Sequence, residues 1–132
     1  MSIDIREVKT KSDAKQFVNL PFGIYKGNKF WVPPLKEGEM KSLFSETNPA
    51  FDFCKAKFWL AFKNGKCLGR VGAIINETYN KKTGENMARF SRLEFMVRLV
   101  LQILIRKDYW LKVLTICRQL VRCIIGNIIT SI

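Results

Sequence analysis

The sequence predicts an α+β fold built around a short antiparallel sheet. Residues 56–76, AKFWLAFKNGKCLGRVGAIIN, place two apolar runs on either side of Asn64-Gly65, and an Asn-Gly pair tolerates the positive φ that a tight type I′ hairpin requires. Ile3 to Val8 alternate apolar and polar, as a half-buried strand does. Between these strands, Ala14, Phe17, Val18 and Leu20 fall on one face of a helix.

Taken in order, the first strand leads through Lys9 to Lys11 to Ser12 and Asp13, candidate helix caps, so a helix is expected from near Asp13. Pro21 lacks the N–H that a regular helix needs, and a kink or a second short helix is expected through Tyr25. Asn28 to Leu35, with Trp31 and Pro33-Pro34, reads as an ordered extended connector. Lys36 to Phe44 suits a short helix, and Asn48-Pro49 opens a turn that carries Phe51 and Phe53 toward the hairpin. The hairpin strands are expected over Lys57 to Lys63 and Lys66 to Asn76. A loop, NKKTGEN from Asn80 to Asn86, then precedes a fourth strand over Ala88 to Phe95.

A chain of 132 residues accommodates one domain, and 48% hydrophobic content with ten Phe and three Trp argues for a packed core rather than disorder. The net charge of +12 attracts phosphate backbones or anionic headgroups without selecting between them. The N-terminal MSIDIREVKTK is charged from Asp4 onward and lacks the apolar stretch of a secretory signal, so a cytoplasmic location is expected. Cys54, Cys67, Cys117 and Cys123 form no Cys-x-x-Cys pair and the chain has no histidine, which leaves no zinc-site pattern. Buried or idle thiols are the simplest account.

Composition changes near residue 95. All ten Phe, all four Pro and seven of the eight Gly lie at or before it, whereas Ile, Leu and Val dominate residues 96–132. The chain therefore divides into residues 1–95 and a basic, apolar tail, 96–132. Glu94, Arg98, Gln102 and Arg106 recur every four residues as a narrow polar stripe, and Asp108 is a candidate cap for a second helix carrying Lys112, Thr115, Arg118, Gln119 and Arg122 on one side. Two C-terminal amphipathic helices are expected, each too interrupted by charge to span a membrane.

IREVKT (Ile5 to Thr10), NKFWVPPL (Asn28 to Leu35), NPAFDF (Asn48 to Phe53), FWLAFKNGKCLGRVGAIIN (Phe58 to Asn76) and ARFSRLEF (Ala88 to Phe95) occur in order. Together with the strand, helix, connector and hairpin sequence, they resemble the N-terminal half of a GCN5-related N-acetyltransferase of a largely uncharacterised bacterial branch. The resemblance implies an acyl-CoA N-acyltransferase-like fold, acetyl-CoA as cofactor and acyl transfer to an amine. It also implies a pyrophosphate-binding loop of the form Gln/Arg-x-x-Gly-x-Gly/Ala, where glycine lets a helix's free N–H groups approach phosphate. The corresponding stretch here, MVRLVLQILIRKDYW from Met96, contains no glycine. The fold expected is thus incomplete, and an interruption of the reading frame near residue 95 would account for both the composition change and the missing loop.

No catalytic residue is assigned. Gly69 and Gly72 lie inside a hairpin strand, where a bulge or close packing explains them better than a phosphate loop does. Glu77 and Tyr79, just past that strand, are the nearest candidates for a base, with surface placement the plainer account. The leading expectation is a truncated or degenerate N-acetyltransferase-like protein, inactive alone and holding no cofactor. The alternative is a non-enzymatic interaction protein whose tail, through Arg98, Arg106, Lys112, Arg118 and Arg122, meets an anionic membrane surface, a partner protein or another copy of itself. Lys55, Lys57, Phe58, Trp59 and Lys63 could suggest nucleic acid, but strand alternation already accounts for the lysines and no recognition module accompanies them.

Overall fold

A computed structural model describes residues 3–96. The two expected tail helices and their basic residues lie outside the described residues. Over the described part the fold is α+β: a four-stranded antiparallel sheet in the order β1-β2-β3-β4, accompanied by three α-helices. The strands are β1 (Asp4–Glu7), β2 (Cys54–Lys63), β3 (Lys66–Asn76) and β4 (Arg89–Phe95), and the helices are α1 (Lys11–Ile24), α2 (Lys36–Ser42) and α3 (Glu77–Thr83).

The β2-β3 turn takes the form its sequence predicts, with φ of 50° at Asn64 and 74° at Gly65. Its register pairs Trp59 with Val71 and Phe58 with Gly72, so alternate residues of the hairpin face opposite sides. Phe58, Leu60 and Phe62 pack with Ala14, Phe17 and Val18 of α1 and with Leu43 to form the core. Trp59, Val71 and Ala73 are also buried, on the other side of the pleat. Phe51 packs against the core from a 3-10 turn, Pro49–Asp52, capped by Asn48.

Gly72 marks the tightest approach in the sheet. A Cβ there would lie 2.7 Å from Ser91 Oγ and 2.8 Å from the Phe58 ring, so the position admits no side chain without movement. Gly69 sits beside an irregularity in the β2-β3 register. Both glycines therefore serve the packing and bulging of β3.

Three sequence expectations need correction. Helix α1 begins at Lys11, because Thr10 rather than Ser12 or Asp13 is the N-cap. Thr10 Oγ1 accepts from the Asp13 N–H at 3.1 Å while the Asp13 carboxylate accepts from the Thr10 N–H at 2.9 Å, a reciprocal capping box. The expected loop at Asn80 to Asn86 is helical as far as Thr83. Asn76 caps α3 by accepting from the Tyr79 N–H at 2.8 Å, and Gly84 ends it at a φ of 72°.

The third correction concerns Pro21, which lies inside α1: the helix continues to Ile24, so of the expected kink or second short helix the second does not form. An interior proline removes the N–H that would bond the carbonyl four residues back, here Phe17. That carbonyl instead accepts from Arg70 Nη1 at 2.9 Å. Arg70, 6% exposed on β3, also donates from Nε to Glu94 of β4 at 2.6 Å and lies 4.9 Å above the Phe17 ring. Tertiary structure thus supplies the donor that the proline withholds.

This packing carries three stability predictions. Arg70→Met strands the Glu94 carboxylate and the Phe17 carbonyl, and urea denaturation should register a loss of about 3–5 kcal/mol. Pro21→Ala returns an N–H to Phe17, so the same Arg70→Met change should cost measurably less in that background; an undiminished cost would mean that the carbonyl contact is energetically idle. Gly72→Ala should lose about 1–3 kcal/mol through overpacking, read from the same transitions.

Candidate functional site

The concentration of charge and backbone irregularity along β4 marks the most differentiated region of the described residues. Opposite Val71 the β3-β4 register shifts, between the Arg70-Glu94 and Gly72-Ser91 pairs. Arg92 at the shift has a φ of 51°, unusual for a non-glycine residue. Such bulges re-aim side chains and are over-represented next to active sites. Here the bulge turns Arg92 toward α2, where it donates to both Glu39 oxygens at 2.9 and 3.3 Å and to Ser42 Oγ at 3.0 Å.

The region thus contains two arginine-carboxylate pairs, Arg70-Glu94 and Arg92-Glu39, all four side chains no more than a quarter exposed. Each guanidinium is committed to a carboxylate, so neither pair offers a free cation or base. Ser91 Oγ is the buried side-chain polar atom without a hydrogen-bond partner among the described residues. A serine nucleophile needs a general base within hydrogen-bond reach, and none is in place here. The Tyr25 phenol is pushed above its ordinary pKa by burial and by the neighbouring Glu94 carboxylate. A raised phenol stays protonated at neutral pH and can donate but not abstract.

Glu77 and Tyr79 do not meet this cluster in a working arrangement. Glu77 opens α3, and Lys55 of β2 contacts its carboxylate at 2.8 Å. The hydrogen bond from Lys55 holds the Glu77 carboxyl below its ordinary pKa, which makes it a weaker base. Tyr79 is 42% exposed on the same helix. Gly69 and Gly72 offer no helix-start cradle, since both are in β3.

The lysine-aromatic set is also dispersed. Phe58 and Trp59 are buried on opposite faces of β2, while Lys55 and Lys57 approach Glu77 and Glu7. No stacking platform for bases results. Among the described residues Cys54 and Cys67 are half-buried and not disulfide-bonded, and burial pushes the Cys67 thiol up in pKa, away from reactivity.

Sequence reasoning missed Arg70, Ser91, Arg92 and Glu39. Arg70 was detectable as a lone charge within the apolar LGRVGA strand, because a buried arginine requires a partner. Glu94, placed both within the expected fourth strand and at the start of a helical polar stripe, is a strand residue opposite Arg70.

Two curated proteins are similar to this chain. Protein YghO of Escherichia coli K12 is 29% identical over 90 residues, which are 68% of this chain and 23% of that protein. The bacterial ceramide synthase of Caulobacter vibrioides is 31% identical over 75 residues, 57% of this chain and 20% of that protein. The chain thus matches between a fifth and a quarter of the length of these relatives. No family model matches the chain, and no solved structure matches it.

The Lys55-Glu77 contact carries a pH prediction. A carboxyl depressed on folding contributes stability above its unfolded pKa, and that contribution is lost as pH falls through the lower folded value. Lys55→Met should raise the Glu77 pKa toward the ordinary carboxylate value in a carboxyl NMR titration and reduce the acid-side loss of stability. An unmoved Glu77 titration would mean that the ion pair does not form in solution.

Proposed function

We propose that residues 1–95 are the N-terminal half of an acyltransferase-like domain of the GCN5-related kind, and that this chain alone does not turn over an acyl-CoA. The carrying observation is the sequence beyond β4, which has no glycine from Met96 until Gly126 and so lacks the loop pattern that the resemblance requires. The order of elements, strand, two helices, hairpin and fourth strand, supports the first half of this proposal. The commitment of every acid-base pair along β4 to internal contacts supports the second.

Ceramide is an N-acylated long-chain amino alcohol, so the product named for the Caulobacter relative and the resemblance share one reaction class, acyl transfer to an amine. On this proposal an amine-bearing amphiphile is the substrate class of the complete protein. The short chain would retain sheet and scaffold without the groups that hold the thioester donor.

Calorimetry should show no saturable heat on titrating the full 132-residue chain with acetyl-CoA. Saturable binding that free CoA competes away would overturn the inactive half of the proposal. A fusion that continues from Phe95 with the Caulobacter relative's sequence beyond its matched segment should regain CoA binding. A folded fusion that remains silent to CoA would count against the acyltransferase assignment itself.

A further inference from the structure

The connector between α1 and α2 displays apolar side chains that the fold does not use. Phe30 is 95% exposed, and Val32 and Leu35 are each 85% exposed. An extended apolar cluster of this kind marks an interaction site when it is held in place rather than scattered. It is held in place here. Trp31, in the middle of the segment, stacks on Tyr25 with ring centroids 5.1 Å apart and meets Phe22 edge-on at 5.1 Å. Pro33 and Pro34 keep the following backbone extended.

Two features select the kind of surface that would receive it. The first is charge: Lys26, Lys29 and Lys36 flank the tip and are exposed, and no acid lies between Lys26 and Lys36. The next carboxylates along the chain are already neutralised, Glu37 by Lys41 at 2.8 Å and Glu39 by Arg92. The second is the backbone. The Phe30 N–H donates to Asn28 Oδ1 at 2.9 Å, the Trp31 N–H reaches the Asn28 carbonyl at 3.4 Å, and Pro33 and Pro34 have no N–H. Leaving water costs free energy for every unpaired backbone donor, and between Phe30 and Leu35 that cost is confined to the N–H groups of Val32 and Leu35.

The geometry points to a membrane-docking loop: Phe30, Val32 and Leu35 enter the headgroup and acyl boundary of an anionic bilayer while Lys26, Lys29 and Lys36 meet lipid phosphates. Interfacial binding of this type combines buried apolar area with attraction between lysines and acidic lipids. The surface belongs to a segment distinct from the basic tail and does not depend on the acyltransferase proposal. Flotation and CoA binding are separate measurements, so either can fail alone.

The test is co-flotation of the full chain with phosphatidylcholine vesicles, with and without phosphatidylglycerol. The unmodified chain should float with the anionic vesicles, and Phe30→Ser, Val32→Ser and Leu35→Ser together should reduce the partition coefficient at least about tenfold. Val32→Asp alone should weaken it in the same direction and guards against a folding defect in the triple variant. Changing Lys26, Lys29 and Lys36 to Gln should weaken binding to anionic vesicles while leaving the weaker binding to neutral vesicles unchanged. Phe53→Ser with Met87→Ser, which removes exposed apolar groups elsewhere, should have no effect. Failure of the unmodified chain to float, or equal flotation of the triple variant, would overturn the assignment. Lipid-independent self-association that the triple variant abolishes would also overturn it, naming a second copy as the occupant.

Discussion

A carbonyl without its helical donor organises the described part of this protein. Pro21 is fully buried in α1 and leaves the Phe17 oxygen unpartnered within the helix. An interior proline costs a helix about 3 kcal/mol or more, so it persists where the surroundings compensate. Arg70 supplies that compensation, and its own burial requires a counter-charge, which Glu94 provides from the next strand. One guanidinium therefore fixes α1 to β3 and β4 together. Glu94 in turn neighbours Tyr25, whose ring stacks on Trp31, so the connector is referenced to the sheet through the same chain of contacts.

Arg92 repeats this arrangement for α2. The bulge in β4 costs a regular ladder position and strains a non-glycine φ, and what it gains is a two-pronged contact with Glu39 over the edge of the Phe58 ring. The helical layer is thereby held at two points by arginines from adjacent strands, each directional where apolar packing alone would permit sliding. Charges used this way specify helix position, and the same commitment withdraws them from acid-base chemistry. Scaffold and candidate site compete for the same side chains, and in the described residues the scaffold holds them.

The parts of the fold that were legible in the sequence depend on local physics. The hairpin follows from Asn64-Gly65, and the core face of α1 follows from the spacing of Ala14, Phe17, Val18 and Leu20, all buried. The local penalty of Pro21 is visible in sequence, whereas the compensating donor that lets α1 run on to Ile24 lies 49 residues away at Arg70. Helix α3 was missed although Asn76 and Gly84 mark its two ends, because its seven residues, ETYNKKT, have no apolar periodicity. The candidate site was the least legible part. Arg70, Glu94, Arg92 and Glu39 acquire meaning only when a register shift in β4 brings distant positions together, and no short sequence motif encodes that pairing.

The connector follows a different logic from the rest of the chain. Its anchors, Phe22, Tyr25, Asn28 and Trp31, all lie within ten residues, and each contact that shapes the tip is made locally. Its presentation therefore depends on α1 and not on sequence beyond β4. Prolines and stacked rings also reduce the entropy that the loop would lose on meeting a surface, which favours recognition by a small apolar area.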